Sequence, residues 1–146
     1  MTDRAPSARE LWTEVRSLVL NNDRRHEVAR SLDLSFAKAK ALLALVDGPL
    51  CLRDLADHLV TDRPYTTVLV NDLDERGLVT RIADPSDRRT KQVTLTEAGR
   101  RAAEAADRIL YRPPDGFDRL TAADRTTLAG LLAIAKSPPP DRPPAL

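Results

Sequence analysis

Two short stretches of this sequence hold the side chains best suited to chemistry with a polyanion. Residues 82–91, IADPSDRRTK, gather Asp84, Asp87, Arg88, Arg89 and Lys91 around a proline. Residues 62–72, DRPYTTVLVND, set Arg63, Tyr65, Thr67, Val68 and Asn71 among apolar neighbours. A guanidinium forks onto phosphate, carboxylate or the O6 and N7 of guanine, an amide pairs with adenine, and an aliphatic side chain meets a thymine methyl. Solvated loops and helix faces are built from the same residue types, so the elements that carry them must decide.

Leu11, Trp12, Val15, Leu18 and Val19 recur at helical spacing behind Ser7, a suitable N-cap, which predicts a helix over 7–30. A second is expected over 35–46, from Ser35 to a stop at Gly48. Two shorter helical patterns follow, one on Leu55, Ala56 and Leu59 and one on Thr66, Leu69, Val70 and Leu73, separated by VTD. Thr61 or Asp62 can cap the latter, Pro64 suits its first turn, and Gly77 ends it. LVTRI and KQVTL then flank ADPSDRRT as two β-rich runs around a polar turn, the pattern of a hairpin with a charged tip. Thr96 caps a further helix to about Tyr111, RPPDG breaks it, and Thr121 with Asp124 opens the last. The fold class is therefore mostly α with a small β hairpin, a winged helix-turn-helix at 35–100. The flanking helical regions, 7–34 and 101–136, carry more apolar surface than that core needs and are expected to form a homodimer interface. Positions 137–146, with five prolines in the last ten residues, read as an extended, disordered tail.

Composition narrows the classes of function. At 146 residues and 42% hydrophobic content one domain with a real core is expected. With 23 basic against 22 acidic groups, a nucleic-acid partner must be read from local charge. The lone Cys51, the absence of an apolar core in MTDRAPSARE and the lack of any run near the roughly 20 apolar residues of a membrane span point to a cytoplasmic protein without a membrane partner. His26 and His58 do not form a metal-ligand spacing with Cys51, and no phosphate-cradling glycine loop or nucleophile motif is present, so neither cofactor, metal nor catalytic residue is expected.

Three runs, LDERGLV at Leu73–Val79, DPSDRR at Asp84–Arg89 and VTLTEAG at Val93–Gly99, stand in order and without gaps. In these the chain resembles the MarR family of bacterial winged-helix transcriptional regulators. The resemblance implies a homodimer that presents two recognition helices to successive major grooves of double-stranded DNA. Half-sites about 34 Å apart, and hence an inverted-repeat operator, follow from such docking. Repression relieved by a small-molecule effector is the expected mode of action. On the helix after VTD, Arg63, Asn71 and Val68 become candidates for base contact, and Tyr65 and Thr67 for phosphate contact. At the wing, Arg88 and Arg89 would enter a minor groove, with Asp87 holding one of them in a bidentate pair. In the family this Asp and the Arg after it are the wing's functional pair.

The chain also departs from the family. Arg is common where Val68 and Asp72 stand, and Gly where Val60 stands. Between residues 48 and 100 there are 8 basic and 9 acidic groups. This acidic balance leaves open a second class, a winged-helix module for protein contact with weak or no DNA binding. Among residues on helices that could line an effector site, Trp12, Arg16, His26, Phe36 and Lys40 are more often core or surface residues. An oxidant-sensing role for Cys51 is not expected, since a buried thiol is usually inert.

Overall fold

Asparagine and aspartate side chains decide where the first helical region breaks. The computed structural model describes residues 4–137, and within it α1 spans Ala8–Asn21 and α2 spans Arg25–Leu32, where one helix over 7–30 was expected. Asn22 Nδ2 donates to the Leu18 carbonyl at 2.7 Å and Asp23 Oδ1 accepts from Arg25 N–H at 2.9 Å. Such side chains offer the backbone partners outside the helix and so end it. The break turns Val28 into the core, where it is fully buried.

The remaining elements of the first compact unit, which ends at Arg112, are α3 (Phe36–Ala44), β1 (Leu50–Cys51), α4 (Leu52–Leu59), α5 (Arg63–Glu75), β2 (Val79–Ala83), β3 (Lys91–Leu95) and α6 (Glu97–Leu110). The expected hairpin is present, with Arg81 opposite Val93, and it gains a third strand. β1 pairs antiparallel with β3, Leu50 opposite Val93, giving the order β1-β3-β2. Two residues between a turn and a helix leave too short a run for any period to register. The core is built from Leu42, Leu55, Leu69, Val70, Leu73, Val79 and Val93, with Thr66 buried among them. Its Oγ1 donates to the Asp62 carbonyl at 2.8 Å, so no polar group is stranded there.

α6 closes this core with its smallest residues. Gly99, Ala103 and Ala106 are buried, and a Cβ at Gly99 would stand 1.8 Å from the Leu78 carbonyl oxygen. Thr96 secures the approach: its Oγ1 donates to the Gly77 carbonyl at 2.6 Å, its N–H to the Leu78 carbonyl at 3.1 Å, and it accepts from Gly99 N–H at 3.0 Å. VTLTEAG is thus a strand, a cap and a contact site in succession.

α1 buries none of its residues, and Leu11, Trp12, Val15, Leu18 and Val19 are all exposed, Trp12 by 64%. The second unit, from Pro113 on, holds a 3-10 helix at Asp115–Arg119 and α7 at Ala122–Lys136. Thr121 and Asp124 form the expected capping box, and Leu131, Leu132 and Ile134 of α7 are exposed. The Pro-rich tail lies outside the described residues beyond Ser137.

Gly99→Ala should destabilise the first unit by roughly 3 kcal/mol, at the upper end of overpacking costs, because the new methyl meets backbone and not a movable side chain. Urea unfolding measures it, and a variant as stable as the parent would mean the helix can retreat from Leu78 at no cost.

Candidate nucleic-acid interface

α4 and α5 are joined by a turn that the sequence makes possible at some expense. Val60, the C-cap of α4, sits in the left-handed region at φ 54°, where a β-branched residue is disfavoured, and is 89% exposed. Its N–H and that of Thr61 close on α4 carbonyls, and Asp62 then opens α5 by accepting from Tyr65 N–H at 2.7 Å. Pro64 lies in the first turn of α5, where a missing N–H costs nothing.

Thr66, Leu69, Val70 and Leu73 form the buried face of α5, as their spacing predicts. Arg63, Tyr65 and Val68 lie exposed on the outside, Val68 by 67%. Thr67 is half-buried and its Oγ1 donates to the Arg63 carbonyl at 2.9 Å, so its hydroxyl oxygen stays free as an acceptor. Asn71 is exposed, but its Oδ1 accepts from Arg81 of β2, whose Nη1 also holds Asp74 at 2.7 Å. The amide nitrogen of Asn71 and one lone pair of its Oδ1 are left for an outside partner, so Arg81 competes with the bidentate pairing expected for adenine.

Asp72 stands where the family commonly has Arg, and facing outward it would oppose phosphate. Instead its carboxylate lies 2.6 Å from Lys38 Nζ on α3 and 2.7 Å from Arg76 Nε, and Arg76 in turn reaches Asp33. The hydrogen bond from Lys38, and then that from Arg76, hold the Asp72 carboxyl below its ordinary value. The acid pins α5 to α3.

The wing tip corrects one further expectation. Asp87 does not grip a guanidinium: its Oδ1 accepts from Arg89 N–H at 3.0 Å and its Oδ2 from Thr90 Oγ1 at 3.1 Å. A carboxylate one to three residues from free backbone donors closes an Asx-type turn sooner than it finds a long side chain. Asp84 works likewise, accepting from Ser86 N–H and Oγ and from Gln92, and the Ser86 hydroxyl is the main cause of its lowered pKa. Both acids shape the turn backbone and leave the exposed Arg88 and Arg89 without a carboxylate partner among the described residues.

Of two further concave regions, one lies among α1, α2, α3 and α6 and the other beside α4, α5 and the wing. The first, of about 280 Å³, is lined by Val19, Leu20, Arg25, Phe36, Lys40, Leu110 and Tyr111 among others. Arg25 stands 4.6 Å and Lys40 5.9 Å from the centre of the Phe36 ring. Of the residues considered for an effector site, it includes Phe36 and Lys40 but not Trp12, Arg16 or His26. The other, of about 540 Å³, lies among Cys51, Leu52, Arg53, Arg63, Arg89, Thr90 and Lys91. Arg53 is not singled out by the sequence, and Lys91 stands out there only as part of the charged run 82–91, since no periodicity links positions so far apart. Cys51 caps α4, its Sγ accepting from Asp54 N–H at 3.5 Å. No group of three or more His, Cys, Asp or Glu residues that could hold a metal ion occurs among the described residues.

Residues 32–90 match the model of the MarR family. The chain is 33% identical over 87 residues to the HTH-type transcriptional regulator YwhA of Bacillus subtilis (strain 168), covering 59% of this chain and 63% of that one. It spans less than two thirds of the length of the curated relatives it matches. Among solved structures it resembles a probable transcriptional regulator from Pseudomonas aeruginosa, at 30% identity over 86% of this chain and 96% of the other, TM-score 0.58. It also resembles a cysteine mutant of MarR from E. coli complexed with operator DNA, at 25% identity over 87% and 94% of the two chains, TM-score 0.61.

Because the Asp72 carboxyl is depressed in the folded chain, its stabilisation is present above the ordinary value of 3.8 and is lost as pH falls through the lower folded value. Asp72→Asn should lower Tm at pH 7, with the gap to the parent closing below about pH 4. A gap that persists unchanged in acid would show that Lys38 and Arg76 do not act through the charge.

Proposed function

This chain belongs to the MarR family, and from that premise we propose that it is a transcriptional regulator that binds double-stranded DNA at an inverted repeat. The observation that carries the reading is the placing of charge. Arg63 at the start of α5 and Arg88 and Arg89 at the wing tip are exposed without carboxylate partners among the described residues, while Asp62, Asp72, Asp84 and Asp87 are each held by their own fold. The count of 8 basic against 9 acidic groups between residues 48 and 100 therefore misstates the field that an approaching duplex meets.

In this reading α5 enters the major groove, with Arg63 and Val68 at base edges and Tyr65, Thr67 and Asn71 on bases or phosphates. The wing enters the minor groove through Arg88 and Arg89, on a turn whose shape Asp87 maintains. The exposed apolar faces of α1 and, separately, of α7 support a homodimer, since stripes of this size are usually covered. Repression by such a dimer in the cytoplasm, and not catalysis, is the function inferred; no described helix is long and apolar enough to cross a membrane. The cleft beside Phe36 suits a small aromatic anion, with Arg25 and Lys40 to neutralise it and leucines to cover the ring, and it supports release of DNA by an effector. The exposed Tyr65 and Val68 favour the second reading, a module for protein contact.

Selection from random duplex DNA separates the two: enrichment of an inverted repeat supports the regulator, and no enrichment even at low salt supports the protein module. On the selected duplex, Arg89→Ala should weaken binding by a factor of about ten or more while the oligomeric state is unchanged, as expected for loss of a minor-groove guanidinium. For the effector, millimolar benzoate as a probe anion should raise Tm and loosen the DNA complex, and Lys40→Ala should remove both effects. Equal benzoate responses in parent and variant would place the anion elsewhere.

A further inference from the structure

The second cleft is unusual in its charge. Arg53 comes from the first turn of α4, Arg63 from the first turn of α5, and Arg89 and Lys91 from the end of the wing, so three elements send four cations to one hollow of about 540 Å³. None of the four has a carboxylate partner among the described residues, whereas Arg76 and Arg81, on the far end of α5 and on β2, are both paired. Like charges brought together on a surface disfavour one another, and an anion in the hollow relieves the repulsion.

The place of the cleft names the anion. A duplex read by one element in a major groove and another in the neighbouring minor groove must pass the single sugar-phosphate strand that divides those grooves between the two elements. Here the reading elements are the N-terminus of α5 and the wing tip, and the cleft is bounded by both. We propose that this hollow is a clamp for the dividing strand, and that Arg53 and Lys91 are phosphate contacts that fix the register of helix and wing on the duplex. The proposal rests on the DNA-binding reading and adds to it two residues that touch neither groove. Phosphates recur every 3.4 Å or so of helix axis along one strand, so a cleft of this size can meet more than one of them.

The test uses the full chain, the duplex recovered by selection and a scrambled duplex of the same length, with affinity followed against salt. Arg53→Ala and Lys91→Ala should each lower the slope of log K on log salt by about 0.9 per bound protomer and weaken both duplexes by the same factor, leaving sequence preference unchanged. Arg53→Lys should restore most of the slope, because a phosphate accepts any cation, and circular dichroism should show the variants folded. In a duplex with neutral methylphosphonates in the dividing strand, the parent should lose affinity and the double variant should lose no more. An unchanged slope in the folded double variant, on DNA that the parent binds, overturns the clamp. Loss confined to the selected duplex overturns it as well, since it would make these residues base readers. If the parent binds neither duplex at 10 mM salt, the regulator reading itself falls and the clamp with it.

Discussion

The first turn of α6 lies directly on the backbone at Gly77 and Leu78, and the placing of α5 against the β2–β3 hairpin depends on that contact. Gly77 follows α5 and Val79 begins β2, so one point of the chain is common to the helix and the hairpin proposed to read DNA. Thr96 ties it down with a hydroxyl and an N–H, and Gly99 leaves no side chain to hold the helices apart. Helix, wing and α6 are thereby a single body: a shift of α6 moves both elements that would touch DNA. This is the physical content of the VTLTEAG run, whose threonine and glycine have different tasks at the same place.

A second ordering principle is the use of carboxylates as internal fastenings. Asp62 satisfies orphan N–H groups at a helix start, Asp84 and Asp87 shape the hairpin tip, and Asp72 and Asp74 bind the recognition helix to α3 and β2. Each partner is within the same unit, and each carboxylate so held presents less charge outward. The hollow between α4, α5 and the wing is lined by Arg53, Arg63, Arg89 and Lys91 and by no acid. A nearly neutral chain can in this way carry a locally positive surface without an excess of lysine and arginine, and the same acids that tune the field also set the rigidity of the elements that bear it.

Legibility from sequence followed the range of the interactions. The α5 face was read correctly because Thr66, Leu69, Val70 and Leu73 repeat at the helical period, and caps at Ser7, Ser35, Thr96 and Thr121 were visible because a cap acts over three residues. The break at Asn22 escapes the sequence reading because no Gly or Pro punctuates NNDRRHE, while the competing amide and carboxylate bonds are invisible to periodicity. Asp87 was given the wrong partner for a related reason: a charge invites a search for an opposite charge, but the backbone donors of Arg89 and the Thr90 hydroxyl stood nearer. Asp72 looked adverse to DNA until α3 brought Lys38 to within 2.6 Å.

By itself, then, the sequence determined the order of elements, the helix-turn-helix followed by a wing, and the family resemblance, all of which rest on local period, capping and short ordered motifs. It also determined which residues stand on the outer side of α5, since a helix places its faces by spacing alone. The tertiary structure alone decided which charges are spent and which remain. Arg53 and Lys91 meet in one cleft, Asn71 is drawn to Arg81, and Asp72 turns to Lys38, because each of these contacts joins separate elements. Such pairings depend on how elements pack, and packing is fixed by the buried surface of the whole unit and not by the neighbours of any one residue in the chain.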